Sequence, residues 1–160
     1  MRILRQLYLR DRATDPSGAT VIFDSRGVKR YLLVGKWGMM RDALSLYAMD
    51  GQLIGEIKQL SLGILPRFAI YIHRQKIGTI SKSLGFVREV IYIHGLHWII
   101  VGNPFADRYR VFKGGRLVFV LEPVDKTGGF FHQLTVVNEE EEPPAILVAS
   151  VLNTWARHSS

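Results

Sequence analysis

The feature of this sequence that most constrains its fold is the last apolar segment, within "EEEEPPAILVASVLNTWARHSS". A helix over the twelve residues Ala145 to Ala156 would be about 18 Å long, against roughly 30 Å of hydrocarbon in a bilayer. Glu139 to Glu142 place negative charge at its N-terminus, Pro143 and Pro144 suit its first turn, and Arg157 suits its C-terminus. The segment therefore predicts a helix with defined ends that is too short to span a membrane.

The distribution of side chains around this helix indicates where it lies. Its polar residues form one narrow stripe at positions i, i+3, i+4 and i+7: Ser150, Asn153, Thr154 and Arg157. A helix that is apolar in all other directions is stable when it is surrounded. Packing on one face of a sandwich would leave Ile146, Val148 or Leu152 in water on one side. We therefore expect the helix to form the core rather than a membrane anchor or an exposed partner-binding element.

The chain before this helix, from Arg2 to about Val137, consists of short β-type runs separated by turn residues. The twelve candidate runs are "RILRQLYL", "TVIFD", "VKRYLLVGKW", "ALSLYAM", "QLIGEIKQ", "RFAIYIH", "QKIGTISK", "EVIYIH", "LHWIIVGN", "DRYRVF", "RLVFVLE" and "HQLTVV". Tight turns predict antiparallel hairpins at four places: Asp24 to Gly27, Met49 to Gln52, His73 to Lys76, and Lys113 to Gly115.

Two connections look different from these turns. Gly63 and Pro66 interrupt the strand pattern between Leu60 and Arg67, which predicts a helical turn or a crossing loop. Val124 to Gly129 is the other predicted flexible connection. Together, the twelve runs and the apolar helix predict a mainly β fold of one domain over residues 1–160. We expect a closed twelve-strand antiparallel β-barrel around a central C-terminal helix, because closure surrounds the helix and removes exposed sheet edges.

Charge and cysteine content limit the possible partners and compartments. The sequence contains no cysteine, which excludes disulfides, thiolate metal sites and S-palmitoylation. The N-terminus has Arg5 among its apolar residues and Arg10 and Arg12 just after them, unlike a signal peptide. We therefore expect a cytoplasmic protein. Its net charge of +7 favours anionic partners such as phosphoinositides, anionic lipid surfaces or nucleic acid. The alternative is that the charge serves only solubility.

The densest basic group lies in "DRYRVFKGGR". Arg108 and Arg110 share one face of the predicted strand, and Lys113 and Arg116 flank its hairpin turn. Guanidinium groups bind phosphate in a bidentate manner, and the amides of the glycines in the turn can add donors. These four residues are therefore the candidate lipid-headgroup site, with Tyr109 and Phe112 expected to face inward if the arginines face out. The alternative is an ordinary solvated hairpin.

Other candidate chemistry is weaker. His94 and His97 are close in sequence but lack a third ligand for a metal, and His73, His132 and His158 are predicted to be isolated. The "GKWG" stretch at Gly35 does not follow the phosphate-loop pattern, and no serine lies in a strained nucleophile motif. We therefore expect no catalytic residue, metal or cofactor.

A family resemblance is carried by several stretches of the chain. They are "LYAMDGQLIGEIKQLSLGILPRFAIYI", the "GNPF" turn at Gly102 to Phe105 before "DRYRV", and the acidic approach to the final apolar helix. With these features the chain resembles the LURP-one-related family, which is similar to the Tubby C-terminal domain and to phospholipid scramblases. The resemblance covers essentially the whole chain and implies a twelve-strand barrel threaded by its C-terminal helix. It also implies binding of phosphoinositides or anionic phospholipids through surface basic residues.

The chain departs from scramblases because it lacks their cysteine-rich palmitoylation run and a recognisable calcium loop. The leading hypothesis is accordingly a non-enzymatic binding or scaffold module, cytoplasmic or at the membrane periphery. A second hypothesis is a nucleic-acid-binding barrel in which Trp37, Trp98 and Tyr109 stack on bases, although aromatics at strand spacing more often belong to a core. A third, an enzyme working at the barrel mouth, has no residue set to support it.

Overall fold

The computed structural model describes residues 5–10, 19–35, 43–61, 67–81, 89–103, 107–126 and 129–158. Within these residues the chain forms twelve strands, a short 3-10 turn and one α-helix. The strands are β1 (Arg5–Arg10), β2 (Ala19–Asp24), β3 (Lys29–Gly35), β4 (Ala43–Ala48), β5 (Leu53–Ser61), β6 (Arg67–Ile72), β7 (Gln75–Ser81), β8 (Glu89–His94), β9 (Trp98–Asn103), β10 (Arg108–Lys113), β11 (Arg116–Lys126) and β12 (Gly129–Val136). The 3-10 turn (Glu139–Glu141) leads into helix α1 (Glu142–His158).

The strands form a closed antiparallel barrel in which each strand pairs with its neighbours in sequence. Closure comes from β1, which pairs with β12 from Arg5 opposite Val136 to Arg10 opposite Phe131, and with β2 on its other side. The predicted closed twelve-strand barrel is thus confirmed. Because consecutive strands alternate in direction, the barrel has an entrance end, where α1 begins, and a far end, where β1 and the other odd-numbered strands finish.

The hairpin turns at the entrance end are tight, as predicted. Gly51 has φ of +91°, a conformation that glycine adopts without steric cost. His73 and Arg74 also have positive φ, at +49° and +67°, in the two-residue turn between β6 and β7. Two positive φ values in succession match the right-handed twist of the flanking strands, which explains a tight turn without glycine.

One predicted connection is wrong. Strand β11 continues to Lys126 and β12 starts at Gly129, so most of the expected loop at Val124 to Gly129 is paired sheet. Val124 lies opposite Phe131 and Asp125 opposite Phe130, and such β-branched and aromatic residues favour an extended ladder over a loop. In the other predicted break, residues 62–66 lie outside the described residues, while Leu60 and Ser61 belong to β5 and Arg67 begins β6.

Helix α1 occupies the core of the barrel. Its side chains from Ala145 to Val151 are at most 4% exposed, and burial of each larger aliphatic side chain contributes roughly 1.5–3 kcal/mol. Ser150, on the predicted polar stripe, is satisfied locally because its Oγ donates to the carbonyl oxygen of Leu147 at 2.6 Å. On β5, a Cβ at Gly55 would lie 3.1 Å from Cδ1 of Leu147, so glycine permits the close approach of helix and wall.

The helix is therefore surrounded by sheet rather than packed on one face of a sandwich. Across the residues that the structure describes, no helix has both the length and the apolar character needed to cross a bilayer.

Candidate functional site

Strand β10 presents the first two candidate arginines on the outside of the barrel. Arg108 and Arg110 are exposed, whereas Tyr109 and Val111 between and after them are buried in the core. The alternation is that of a strand with one face inside, as predicted. A bulge between Val111 and Phe112 then shifts the register, and Phe112 is only half-buried.

Arg110 makes no ion pair with any described residue. It lies between Val101 of β9 and Val120 of β11 in the register of the sheet. Val101 is 36% exposed, and the exposed apolar row continues across the outside of the barrel to Ile99 and Tyr92, which are 37% and 39% exposed. A guanidinium with its charge available thus borders apolar side chains in contact with water.

Arg108 and Lys113 lie on either side of Arg110 along the strand. Arg108 approaches Glu122 of β11 at 3.8 Å with its side chain 63% exposed, a weak surface pair. Two residues of strand span roughly 6.6 Å, and the three residues from Arg110 to Lys113 roughly 10 Å. The four candidate residues therefore line one hairpin without converging on a single pocket.

Arg116 is committed to a partner at the entrance end. Its Nη1 and Nη2 donate to Oε1 and Oε2 of Glu141 at 2.7 and 3.2 Å, a bidentate arrangement. The hydrogen bond from Arg116 holds the pKa of Glu141 below its ordinary value, with further help from Asn138 and from the charge of Lys113. The charge of Arg116 is thus largely balanced by the acidic segment that leads into α1.

A second set of contacts at the entrance end, the entrance cluster, consists of Arg5, Tyr31, Glu139 and Glu142. Tyr31 donates its hydroxyl to Oε1 of Glu142 at 2.6 Å. Arg5 bridges the two acids, with Nη1 at 3.0 Å from Oε1 of Glu139 and Nε at 3.3 Å from Oε2 of Glu142. These contacts tie the first turn of α1 to β1 and β3.

Burial and hydrogen bonding act in opposite directions on the titrating groups of the entrance cluster. Glu142 is fully buried, and desolvation raises its pKa, while Tyr31 and Arg5 lower it. Burial also raises the pKa of Tyr31 well above its ordinary value, with a further increase from its hydrogen bond to Glu142. The sequence predicted these acids to complement the helix dipole. It did not reveal their partners, which lie more than a hundred residues away.

His132 is not isolated, contrary to the prediction. It is 6% exposed, and its Nε2 donates to Oδ2 of Asp107 at 2.5 Å, which ties β12 to the start of β10. Nδ1 of His132 and Oδ1 of Asp107 are buried without a hydrogen-bond partner among the described residues. The pair belongs to no sequence motif, and the residues come together because β10 and β12 both pair with β11.

His94 and His97, which were considered as metal ligands, both lie against Tyr92. Nδ1 of His97 lies 2.5 Å from the hydroxyl of Tyr92, whose ring also contacts His94. In the described part of the chain, no three His, Asp or Glu side chains are grouped to hold a metal ion. Trp98 and Tyr109 are each 1% exposed, so these two cannot stack on nucleic-acid bases.

Several predicted features lie wholly or partly outside the described residues. Trp37 and most of "GKWG" do so, with Gly35 ending β3. The "GNPF" turn is described only for its first two residues, which end β9.

Comparison with known proteins supports the fold over nearly the whole chain. No family model matches the sequence. The chain is 22% identical over 148 residues to "Uncharacterized protein YxjI" of Bacillus subtilis (strain 168), which covers 92% of this chain and 91% of that protein. It is also similar to an X-ray structure of a protein from Arabidopsis thaliana, with a TM-score of 0.63 and 14% identity over 96% of this chain and 91% of that one. At this identity the likeness shows the fold alone.

Proposed function

We propose that this protein is a non-enzymatic binding or scaffold module of the LURP-one-related, Tubby-like type that docks on anionic phospholipid headgroups at a membrane surface. The closed barrel around a central helix and the full-length structural likeness support the family part of the proposal. The residues of the β10–β11 hairpin support the lipid part. The corresponding location is the cytoplasm, at the periphery of the membrane.

The observation that carries the proposal is the environment of Arg110. Its guanidinium is exposed, makes no ion pair with a described residue, and adjoins the exposed side chain of Val101. A lipid surface offers phosphate to the cation and a partly apolar boundary to the valine.

The other three candidates differ in how much of their charge is available to this site. Arg108 can exchange its long contact with Glu122 for a phosphate at little cost, because exposed pairs contribute little. Lys113 and Arg116 face each other across the turn, where Glu141 already balances Arg116. A headgroup is therefore held first by Arg110 and Arg108, and the net charge of +7 attracts the protein to the surface.

The test is co-sedimentation with phosphatidylcholine vesicles that contain graded fractions of phosphatidylglycerol or phosphoinositide, at low and high salt. We expect the double variant Arg108→Glu with Arg110→Glu to lose salt-sensitive binding. The matched control is Arg74→Glu with Lys76→Glu, which makes the same change in net charge at exposed residues of the β6–β7 hairpin. Equal loss in both variants would mean that only total charge matters, and unchanged binding in the first would exclude the site.

A fluorescent oligonucleotide measured beside the vesicles separates the lipid proposal from nucleic-acid binding. Salt-dependent binding to single-stranded or duplex oligonucleotide, with no binding to any vesicle, would replace the proposal with the nucleic-acid alternative. We expect the reverse result, since the described tryptophan and the tyrosine considered for stacking are buried.

A further inference from the structure

The β11–β12 hairpin at the far end of the barrel exposes an unusual apolar side chain. Phe130 is 73% exposed, more than any other large hydrophobic residue that the structure describes. The next most exposed of these residues is Met49, at 50%. Phe130 is the second residue of β12 and lies opposite Asp125 near the end of β11. A phenylalanine presented at a hairpin end has a large apolar area that water does not solvate well.

Two basic side chains, at the ends of β1 and β11, are held over aromatic rings on the face of the sheet opposite to that of Phe130. Nζ of Lys126 lies 3.5 Å from the ring centroid of Tyr8, and Cζ of Arg10 lies 5.9 Å from that of Phe131. The rings are themselves packed together, with Phe23 between Tyr8 and Phe131. Lys126 forms no ion pair with a described acidic residue, so the rings orient its ammonium while its charge stays available.

An open cleft of about 500 Å³ lies beside Phe23 and Phe131, within the usual size range of small-molecule sites. It is lined by Phe23, Asp125, Lys126 and Phe131. The ammonium of Lys126 can bind one phosphate, and the rings can contact the glycerol and upper acyl region of a lipid. The carboxylate of Asp125 disfavours a polyphosphate headgroup and can accept hydrogen bonds from headgroup hydroxyls. The lining therefore suits a singly charged, hydroxyl-bearing headgroup such as that of phosphatidylglycerol.

From these features we infer that the end of β11 and the start of β12 form the membrane anchor of this protein, with Phe130 inserted among the lipids and Lys126 at the level of the phosphates. The inference rests on the membrane docking proposed above and adds orientation and depth to it. Lys126 lies four residues beyond Glu122, the partner of Arg108, which corresponds to roughly 13 Å along β11 toward the far end. The membrane is thus met where β10 begins and β11 ends, with Arg108 and Arg110 facing the headgroups beside the anchor.

The first test uses Phe130→Ala, with Met49→Ala at the entrance end as a control for loss of an exposed apolar side chain. Complete burial of a phenylalanine changes affinity by one to two factors of ten, so we expect about a tenfold loss for Phe130→Ala on phosphatidylglycerol vesicles. The loss should persist at high salt, because it is apolar in origin. A loss for Met49→Ala of the same size, or none for Phe130→Ala, would overturn the anchor.

The second test measures depth directly and exploits the absence of cysteine in the chain. An environment-sensitive fluorophore is attached at Phe130→Cys or at Met49→Cys, and phosphatidylglycerol vesicles with doxyl-labelled acyl chains are added. We expect a blue shift and quenching at position 130 and neither at position 49. Protein that sediments with vesicles while its label at 130 stays in water would overturn the anchor and leave the headgroup proposal standing. Failure of the unmodified protein to bind any vesicle would overturn both the anchor and the headgroup proposal.

Discussion

Arg116 and Arg110 lie on the same hairpin, yet the structure uses their charges differently. Arg116 is held by both carboxylate oxygens of Glu141 at the entrance end, where the acidic segment leads into α1. Arg110 points from the wall of the barrel and has no ionic partner among the described residues. The comparison teaches that the basic residues of this chain divide between closing the fold and remaining available on its surface.

The entrance cluster shows the structural use of charge most clearly. Glu142 is fully buried, and Arg5 and Tyr31 provide its ionic and hydrogen-bonded partners. Removal of one member leaves the other polar groups buried without a partner. This lowers the free energy of unfolding much more than the loss of a surface ion pair does. Substitutions at the entrance cluster should therefore change stability, and substitutions on the outer face should change binding.

The largest effect is expected for Arg5→Met. The variant leaves the Glu142 carboxylate buried without its cation, and we expect the free energy of unfolding to fall by about 3 kcal/mol. Chemical denaturation of the wild type and the variant measures this difference. Vesicle affinity of the folded variant should be unchanged. A loss of stability within the range of ordinary surface substitutions would show that the entrance cluster does not hold the helix in place.

Glu142 and Glu141 should give pH dependences of opposite sign. Burial raises the pKa of Glu142 in the folded state, so above its ordinary value of 4.5 the folded protein holds a proton that the unfolded chain has released. The stability of wild type relative to Glu142→Gln should therefore fall as pH rises above 4.5. Arg116 lowers the pKa of Glu141, so stability relative to Glu141→Gln should fall as pH drops below 4.5.

Denaturation curves of the three proteins across this pH range provide the measurement. The free energy of unfolding relative to each variant should change with pH in opposite directions. Changes in the same direction would contradict a raised pKa for Glu142 and a lowered pKa for Glu141.

A smaller effect is expected for Arg116→Gln. The ion pair with Glu141 is partly solvated, so its loss should lower the unfolding midpoint by less than Arg5→Met does. Thermal denaturation monitored by circular dichroism measures the shift. A shift larger than that of Arg5→Met would place the main tie of α1 at Glu141 instead of Glu142.

The smallest effect on stability is expected for Arg110→Gln, which should stay within about 0.5 kcal/mol of wild type. Its effect should appear in binding, where one basic residue near an anionic surface contributes about 1 kcal/mol, or roughly a fivefold change in affinity. Denaturation and vesicle titration on the same preparation separate the two quantities. A destabilised variant with unchanged affinity would reverse the roles assigned to the two arginines.

Much of the fold could be predicted from the sequence because each strand carries its own signal. Alternating apolar residues and local turns specify the hairpins, as at "EVIYIH", which is β8 without change. The helix was predicted as the core because its apolar surface extends around most of its circumference. The extension of β11 was missed because Pro123, Asp125 and Lys126 favour a loop by composition, whereas pairing with β12 keeps them in the sheet.

The polar sites could not be predicted to the same extent. Arg5 and Glu142 meet because β1 completes the barrel next to β12, which no local pattern records. His132 meets Asp107 across the two consecutive hairpins β10–β11 and β11–β12, a contact that no local pattern records either. The position of Arg110 on the outside followed from strand periodicity, but the sequence did not show that Arg116 is balanced by Glu141. Ion pairing depends on which strand ends are neighbours, and this is a property of the closed barrel.

The most direct test of the division between structural and available charge compares the affinities of Arg110→Gln and Arg116→Gln for phosphatidylglycerol vesicles at low salt. Both variants lose one positive charge from the same hairpin. Our account predicts that Arg110→Gln binds several times more weakly than wild type, while Arg116→Gln binds as wild type does. Equal losses in the two variants would contradict it, because the charge of Arg116 would then be as available as that of Arg110.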